Sequence, residues 1–265
     1  MACGAWRPGL VLLQAFVPQG SAHPHGHVVR SPPTHAEVPE GCGNYFFWSR
    51  GYSSMKFCED ELGINKSVRA RWDSHLLQVI AEALTEAPVQ HGGPSRIVEL
   101  DESLFSRSKY NRGKRYPQQW VFGGTCRETG DAFVVPVEDR SSQTPLPIIQ
   151  RHFRAGTTVI TDEWHAFRCL SREAYVHLRV NHSVNYVDRS TGAHTQSVES
   201  LWAQAKRGNK RRCGTRRCAL PLHLCEFSWR KLLAISDDAF DAILADILRL
   251  DPPRWDASPT SIPVP

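Results

Sequence analysis

The chain has 265 residues, 41% of them hydrophobic and 22% charged, with a net charge of +5 and a pI near 8.8. That length fits one large domain, or one medium domain with a small companion, and leaves enough apolar residues for a real core. No stretch approaches the ~20 apolar residues of a membrane-spanning helix, and eight scattered cysteines are not the dense framework of a small secreted domain, so reduced thiols are expected.

Residues 1 to about 40 are rich in Pro, Gly and His and read as an unstructured leader. Leu10 to Leu13 and Ala15 to Val17 loosely imitate a secretory signal, but the apolar run is short and Gln14 breaks it. Secretion is therefore not expected. From Tyr45 to about Leu84 the pattern turns helical, and Val68, Trp72, Leu76, Val79, Ile80 and Leu84 follow the three-and-four spacing of an amphipathic helix. Before them, Glu61-Leu62-Gly63-Ile64-Asn65-Lys66-Ser67 reads as a helix end, a glycine turn and a helix start. Residues 41–88 thus suit a helix-turn-helix-like DNA-binding region, or equally an ordinary helical pair. The start of its second helix is poorly patterned, with Arg69 and Arg71 flanking Ala70.

Glu86 to Ser95, with Pro88, Gly92, Gly93 and Pro94, reads as a linker. Ile97 to Asp101 is a short β run ending in an acid. Trp120 to Gly124 and Ala132 to Val137 form a hairpin candidate through Glu128-Thr129-Gly130-Asp131. Pro147 to Phe153 reads as a helix, and Thr157 to Asp162 as a second strand ending in an acid. Gln196 to Lys206 is a helix with Val198, Leu201, Trp202 and Ala205 on its buried side, and Phe240 to Leu250 is an amphipathic helix. Mixed strands and helices in this order suit an α/β fold, a central sheet covered by helices.

Two strands therefore end in aspartate, Asp101 and Asp162, and a later helix carries Glu199. Strand ends of an α/β sheet gather at one edge, where sites form. Three carboxylates at one point repel one another unless a cation neutralises them. Oxygen ligands of this kind suit Mg²⁺ or Mn²⁺, and two such ions assist an in-line displacement at phosphorus. Surface aspartates and glutamates are common, so the pattern alone also fits three solvated acids.

Charge adds context. Seven basic residues and no acid lie between Lys206 and Arg217, and five basic residues and no acid between Arg107 and Arg115. Lys206 follows Glu199 by seven residues, two turns on along the same helix face. Lys206, Arg207, Lys210, Arg211, Arg212, Lys114 and Arg115 are candidate contacts to DNA phosphates. Two solvated basic surfaces would look the same. Cys213, Cys218, His223 and Cys225 lack the close paired spacing of a zinc site.

Several ordered motifs then carry a family resemblance. Val98-Glu99-Leu100-Asp101-Glu102-Ser103, Thr161-Asp162-Glu163-Trp164-His165-Ala166-Phe167, and Gly192-Ala193-His194-Thr195-Gln196-Ser197-Val198-Glu199-Ser200-Leu201-Trp202 with Lys206 resemble the Merlin group of DDE transposases. They also resemble related bacterial insertion-sequence transposases. Val180 to Asn185 and Cys225 to Arg230 extend the likeness, which runs from about Ile97 to Leu233. The resemblance implies an RNase H-like catalytic domain over residues 95–235, with Asp101, Asp162 and Glu199 as the acidic triad holding Mg²⁺ or Mn²⁺. It implies cleavage at transposon ends, strand transfer into double-stranded target DNA, at least a homodimer, and a nuclear location in a eukaryote. His194, Thr195 and Gln196 would shape the site, Thr195 equally serving as the helix N-cap. His165 would face the site or be structural. Residues 236–265 form an acidic helix and a Pro-rich tail. The family's N-terminal zinc-binding spacing does not appear in the first forty residues. The alternative function is a transposase-derived DNA-binding protein that no longer cuts.

Overall fold

The computed structural model describes residues 43–105, 119–138, 145–162, 174–181, 186–212, 215–233 and 237–250. They fall into two compact units, one running to Asp73 and resuming at Asp238, the other Ser74–Asp237.

The first unit is helical. It holds α1 (Gly43–Ser49), α2 (Met55–Asp60), the start of α3 (Lys66–Glu86) and α7 (Ala239–Leu250). Ser54 caps α2 by accepting the Phe57 N–H at 3.1 Å. Gly63, at φ +61°, supplies the left-handed turn that the sequence places between α2 and α3. Asn65 then accepts the Val68 N–H at 2.9 Å, starting α3. Helix α1 meets α7 through an edge-on contact of Phe46 with Phe240 and an ion pair of Arg50 with Asp238. Arg69 explains the poor patterning at the head of α3. It is buried and bonds Asp73, the Ser53 carbonyl and the Cys58 sulfur. Its charge serves the inside of this unit.

The second unit is built on a sheet. Its strands are β2 (Ile97–Leu104), β3 (Trp120–Cys126), β4 (Ala132–Val137), β6 (Thr158–Asp162) and β7 (Val176–Val180), in the order β4-β3-β2-β6-β7. A two-residue pair, β1 (His91–Gly92) with β5 (Phe153–Arg154), stands apart and gives structure to part of the expected linker. In the main sheet β3 runs antiparallel to both its neighbours, while β2, β6 and β7 run parallel. Counted in chain order the arrangement is 3-2-1-4-5 with the second strand reversed. That is the sheet of an RNase H-like fold.

Both faces of the sheet are covered. On one, Val98, Leu100, Phe122, Phe133 and Val159 pack with Ile149 of α4 (Pro145–His152). On the other, Val121, Ala132 and Val134 pack under α5 (Gln196–Arg211) and α6 (Leu220–Leu232) through Val198, Leu201, Trp202, Leu220 and Leu224. Burial of each such side chain contributes roughly 1.5–3 kcal/mol. The expected strands and helices are present, with β2 running on to Leu104 and α5 on to Arg211. Strand β7 and helix α6 go beyond the sequence reading. Among the described residues no helix is long and apolar enough to cross a membrane.

Candidate active site

Strand β2 alternates. Val98 and Leu100 enter the core, while Glu99, Asp101 and Ser103 face α5. Alternate strand residues advance about 6.6 Å. Every fourth helix residue advances about 6 Å. A helix lying along the strand therefore matches it rung for rung, and α5 does so. Glu99 accepts the backbone N–H groups of Ser197 and Val198 at 2.7 and 3.0 Å. Asp101 accepts the Trp202 indole N–H at 2.9 Å. Ser103 accepts from the Lys206 ammonium at 2.6 Å. Three polar strand residues thus fix three successive turns of the helix that carries Glu199.

The first rung is a cap supplied from another element. Thr195 occupies the N-cap position but makes no side-chain capping bond. Glu99, fully buried, takes the two orphan N–H groups in its place. Its other oxygen pairs with the Arg127 guanidinium, which also donates to the His194 carbonyl at 2.7 Å. The His194 ring stands 3.5 Å from the same Glu99 oxygen. His194 and Thr195 therefore belong to the head of α5, and Gln196 is exposed there. The loop before them is tied by Asp188, which accepts from both the backbone and the hydroxyls of Ser190 and Thr191. Those bonds pull the Asp188 pKa down to about 2.

The second rung needs a glycine. Asp101 pairs in register with Gly123 of β3. A Cβ at Gly123 would stand 2.7 Å from the Trp202 ring, 2.9 Å from the Phe133 carbonyl and 3.0 Å from Val134. Only a bare backbone lets the indole reach Asp101. Gly123→Ala is expected to lift α5 from the sheet and cost about 2 kcal/mol, as overpacked cores do. Urea unfolding measures it; an unchanged midpoint would show that Trp202 is not seated as described.

The two aspartates follow the paired stretch of adjacent strands. Strands β2 and β6 pair Val98 with Val159 and Glu99 with Ile160. Asp101 and Asp162 each lie two residues beyond that last pair, and the charge of Asp162 acts on Asp101. Glu199 sits on an exposed part of α5, three residues before Trp202. Burial pushes the Asp101 pKa up to about 6, against the bonds from the backbone and Trp202, and the charges of Asp162 and Glu199 push it the same way. All three acids thus share one electrostatic neighbourhood. Among the described residues, no three His, Cys, Asp or Glu side chains lie close enough to hold an ion as they stand. Mutual repulsion opposes closer approach of bare carboxylates. The donor set, carboxylate oxygens throughout, fits a hard divalent cation.

The remaining candidates divide. Lys206 donates to Ser103, two strand residues beyond Asp101, its ammonium 5.6 Å over the Phe105 ring, and burial lowers its pKa. Arg207, Lys210, Arg211 and Arg212 are exposed along the end of α5. Lys114, Arg115 and His165 lie outside the described residues, as does Cys213 of the weighed zinc set. Glu99 and Arg127 were not singled out by sequence. An acid at a core position between Val98 and Leu100 was the available signal.

Residues 95–231, just over half of the chain, match the family model of the ISXO2-like transposase domain. The chain belongs to that family. An uncharacterized transposase-like protein of Haemophilus influenzae is 28% identical over 98 residues, which cover 37% of this chain and 78% of that protein. Among solved structures, the simian T-cell lymphotropic virus intasome in complex with the PP2A regulatory subunit B56 gamma is similar at 16% identity and a TM-score of 0.32. That match covers 66% of this chain, which spans only 59% of the viral one. The HTLV-2 integrase catalytic core domain, solved with magnesium in a dimeric form, is similar at 11% identity and a TM-score of 0.33, over 57% of this chain and 95% of that one. The strand order of this ISXO2-like domain carries the fold on its own.

Proposed function

We propose that this chain cuts DNA at the ends of a mobile element and joins those ends to target DNA, with Asp101, Asp162 and Glu199 holding Mg²⁺ or Mn²⁺, as two ions. The observation that supports it most is the fixed relation of the three acids. The charges of Asp162 and Glu199 both act on Asp101, and Trp202 ties the helix of Glu199 to Asp101. The ions, when bound, would activate the attacking oxygen and stabilise the leaving one. The residues of this chain supply the frame. Asp101 and Asp162 offer oxygens from a rigid sheet, Glu199 offers one from a helix fixed at three points, and Lys206 presents a cation for a phosphate beside them.

Finer readings follow the motifs. The runs around Asp101, Asp162 and Glu199 support a reading of the chain as one of the Merlin branch. Two DNA ends brought together call for at least two subunits. The site of action is the nucleus in a eukaryote, and the cytoplasm or nucleoid otherwise. A second reading is a transposase-derived DNA-binding protein that no longer cuts, supported by the exposed basic run at the end of α5. One assay separates them. With Mg²⁺ and duplex DNA bearing the element's ends, the native chain should nick, and Asp162→Ala should slow nicking at least about 10³-fold. Binding without nicking by either protein would favour the second reading.

A further inference from the structure

A cavity of about 390 Å³ opens between the end of α5 and helix α6, all within the sheet-bearing unit. Its charged lining is unbalanced. Arg207, Arg211, Arg212, Arg230 and Lys231 face one acid, Glu226. That acid is already engaged. Arg230 donates to it at 3.0 Å and the His223 ring stands 3.6 Å away. Arg212 folds back against Gly208, its guanidinium 3.6 Å from where a Cβ would lie. Arg207, Arg211, Arg212 and Lys231 thus converge on a cavity whose one acid, Glu226, is bonded to Arg230 and also acts on Arg212. A concave cluster of like charge attracts an anion. Phosphate is the anion that arginine clusters suit best, because guanidinium groups bind it through paired N–H donors.

One wall of the cavity is linked to the acid face through an aromatic side chain. Phe105 forms part of its wall. The same ring carries the Lys206 ammonium at 5.6 Å and meets the Trp202 ring edge-on at 6.1 Å. Trp202 in turn holds Asp101. Gly208, nine residues after Glu199, falls half a turn round α5, so the cavity lies on a different side of the helix from the acids. A strand leaving the acids past Lys206 meets Phe105 and then the arginines. Phe227 adds a second aromatic to the lining. Cations interleaved with aromatic rings suit a nucleic-acid strand, whose phosphates and bases both find partners.

We propose that this cleft holds backbone phosphates of the DNA strand that runs on from the acid face, gripped by Arg211 at the end of α5, Arg212 just after it, and Arg230 and Lys231 of α6. The assignment rests on the DNA-directed function above and adds a second contact region to it. Removal of each phosphate contact lowers the salt slope of binding by about 0.9.

The test uses the full chain, a labelled 30-base-pair duplex in EDTA, and affinity measured over a range of KCl. Arg211→Gln with Arg212→Gln, and separately Arg230→Gln with Lys231→Gln, should each weaken binding about tenfold and flatten the slope by 1 to 2. Arg151→Gln, an exposed cation on α4, should change neither. Either double variant carries the test if the other fails to fold. If the parent binds DNA and both folded variants keep its slope, the cleft assignment falls and the function stands. If the parent binds no DNA at moderate salt, the function itself falls and takes the assignment with it. Inorganic pyrophosphate, followed by the arginine side-chain resonances, separates a second source of the same chemistry. Should pyrophosphate shift Arg211, Arg212 and Arg230 while DNA leaves them unmoved, the cleft serves a free polyphosphate and the DNA assignment is overturned.

Discussion

Asp101→Asn is expected to abolish DNA cleavage and, in the same protein, to raise the stability of the metal-free chain. The two effects have one cause. Asp101 is held beside Asp162 and Glu199 in a partly buried place, and its pKa stands near 6 instead of 3.8. A carboxyl whose folded pKa is raised destabilises the fold once the unfolded chain has ionised. The cost grows from about pH 4 to about pH 6 and is constant above that. At 1.36 kcal/mol per unit the full shift corresponds to roughly 3 kcal/mol, and partial solvation reduces it to about 2. Asparagine removes the charge and keeps an oxygen for the Trp202 indole. In EDTA the variant should exceed the native chain by about 2 kcal/mol at pH 8 and by little at pH 4. Urea unfolding at both pH values reads this. Equal stabilisation at the two would point to packing as the cause, and a variant that still cuts DNA would remove Asp101 from the chemistry.

Glu99→Ala carries the largest expected loss of stability. Glu99 is fully buried and joins three groups that no other described side chain is placed to serve together: the head of α5, the Arg127 guanidinium and the neighbourhood of His194. Alanine leaves two helix N–H groups and a partly buried guanidinium unmatched. Breaking one side of such a pair costs about 3–5 kcal/mol. Glutamine, which keeps an acceptor for the helix but turns an amide donor toward Arg127, should lose about half as much. Hydrogen exchange gives the local reading. The Ser197 and Val198 amides should lose protection more than amides of β4, because the head of α5 frays first. Uniform loss across the sheet would mean that Glu99 supports the whole unit and does not act as the cap of α5.

Much of this was legible in the sequence, and the remainder has identifiable reasons. Strands β2, β3, β4 and β6 stand out through β-branched runs bounded by turn residues, and α5 through its apolar spacing. Asp101 and Asp162 were found because each follows such a run. Strand β7, Val-His-Leu-Arg-Val, is a short edge strand with only partial burial, so its pattern is weak. Helix α6 hides behind Pro221 and a cysteine-histidine spacing that invited a metal reading, although Pro in a first turn favours a helix start. Glu99 could not be read at all without knowing where α5 begins. A buried acid is explained only by its partner, and that partner lies ninety-eight residues along the chain. Arg69 taught the opposite lesson, since a basic residue that made the head of α3 look poorly patterned proved to be an internal strut.

Binding of Mn²⁺ to the purified chain, followed by titration calorimetry at pH 7.5, tests the central claim with no DNA present. Saturable binding should be seen in the native protein, and should weaken at least about tenfold in each of Asp101→Asn, Asp162→Asn and Glu199→Gln. Binding of equal strength in all four proteins would mean that the acids of β2, β6 and α5 hold no common ion.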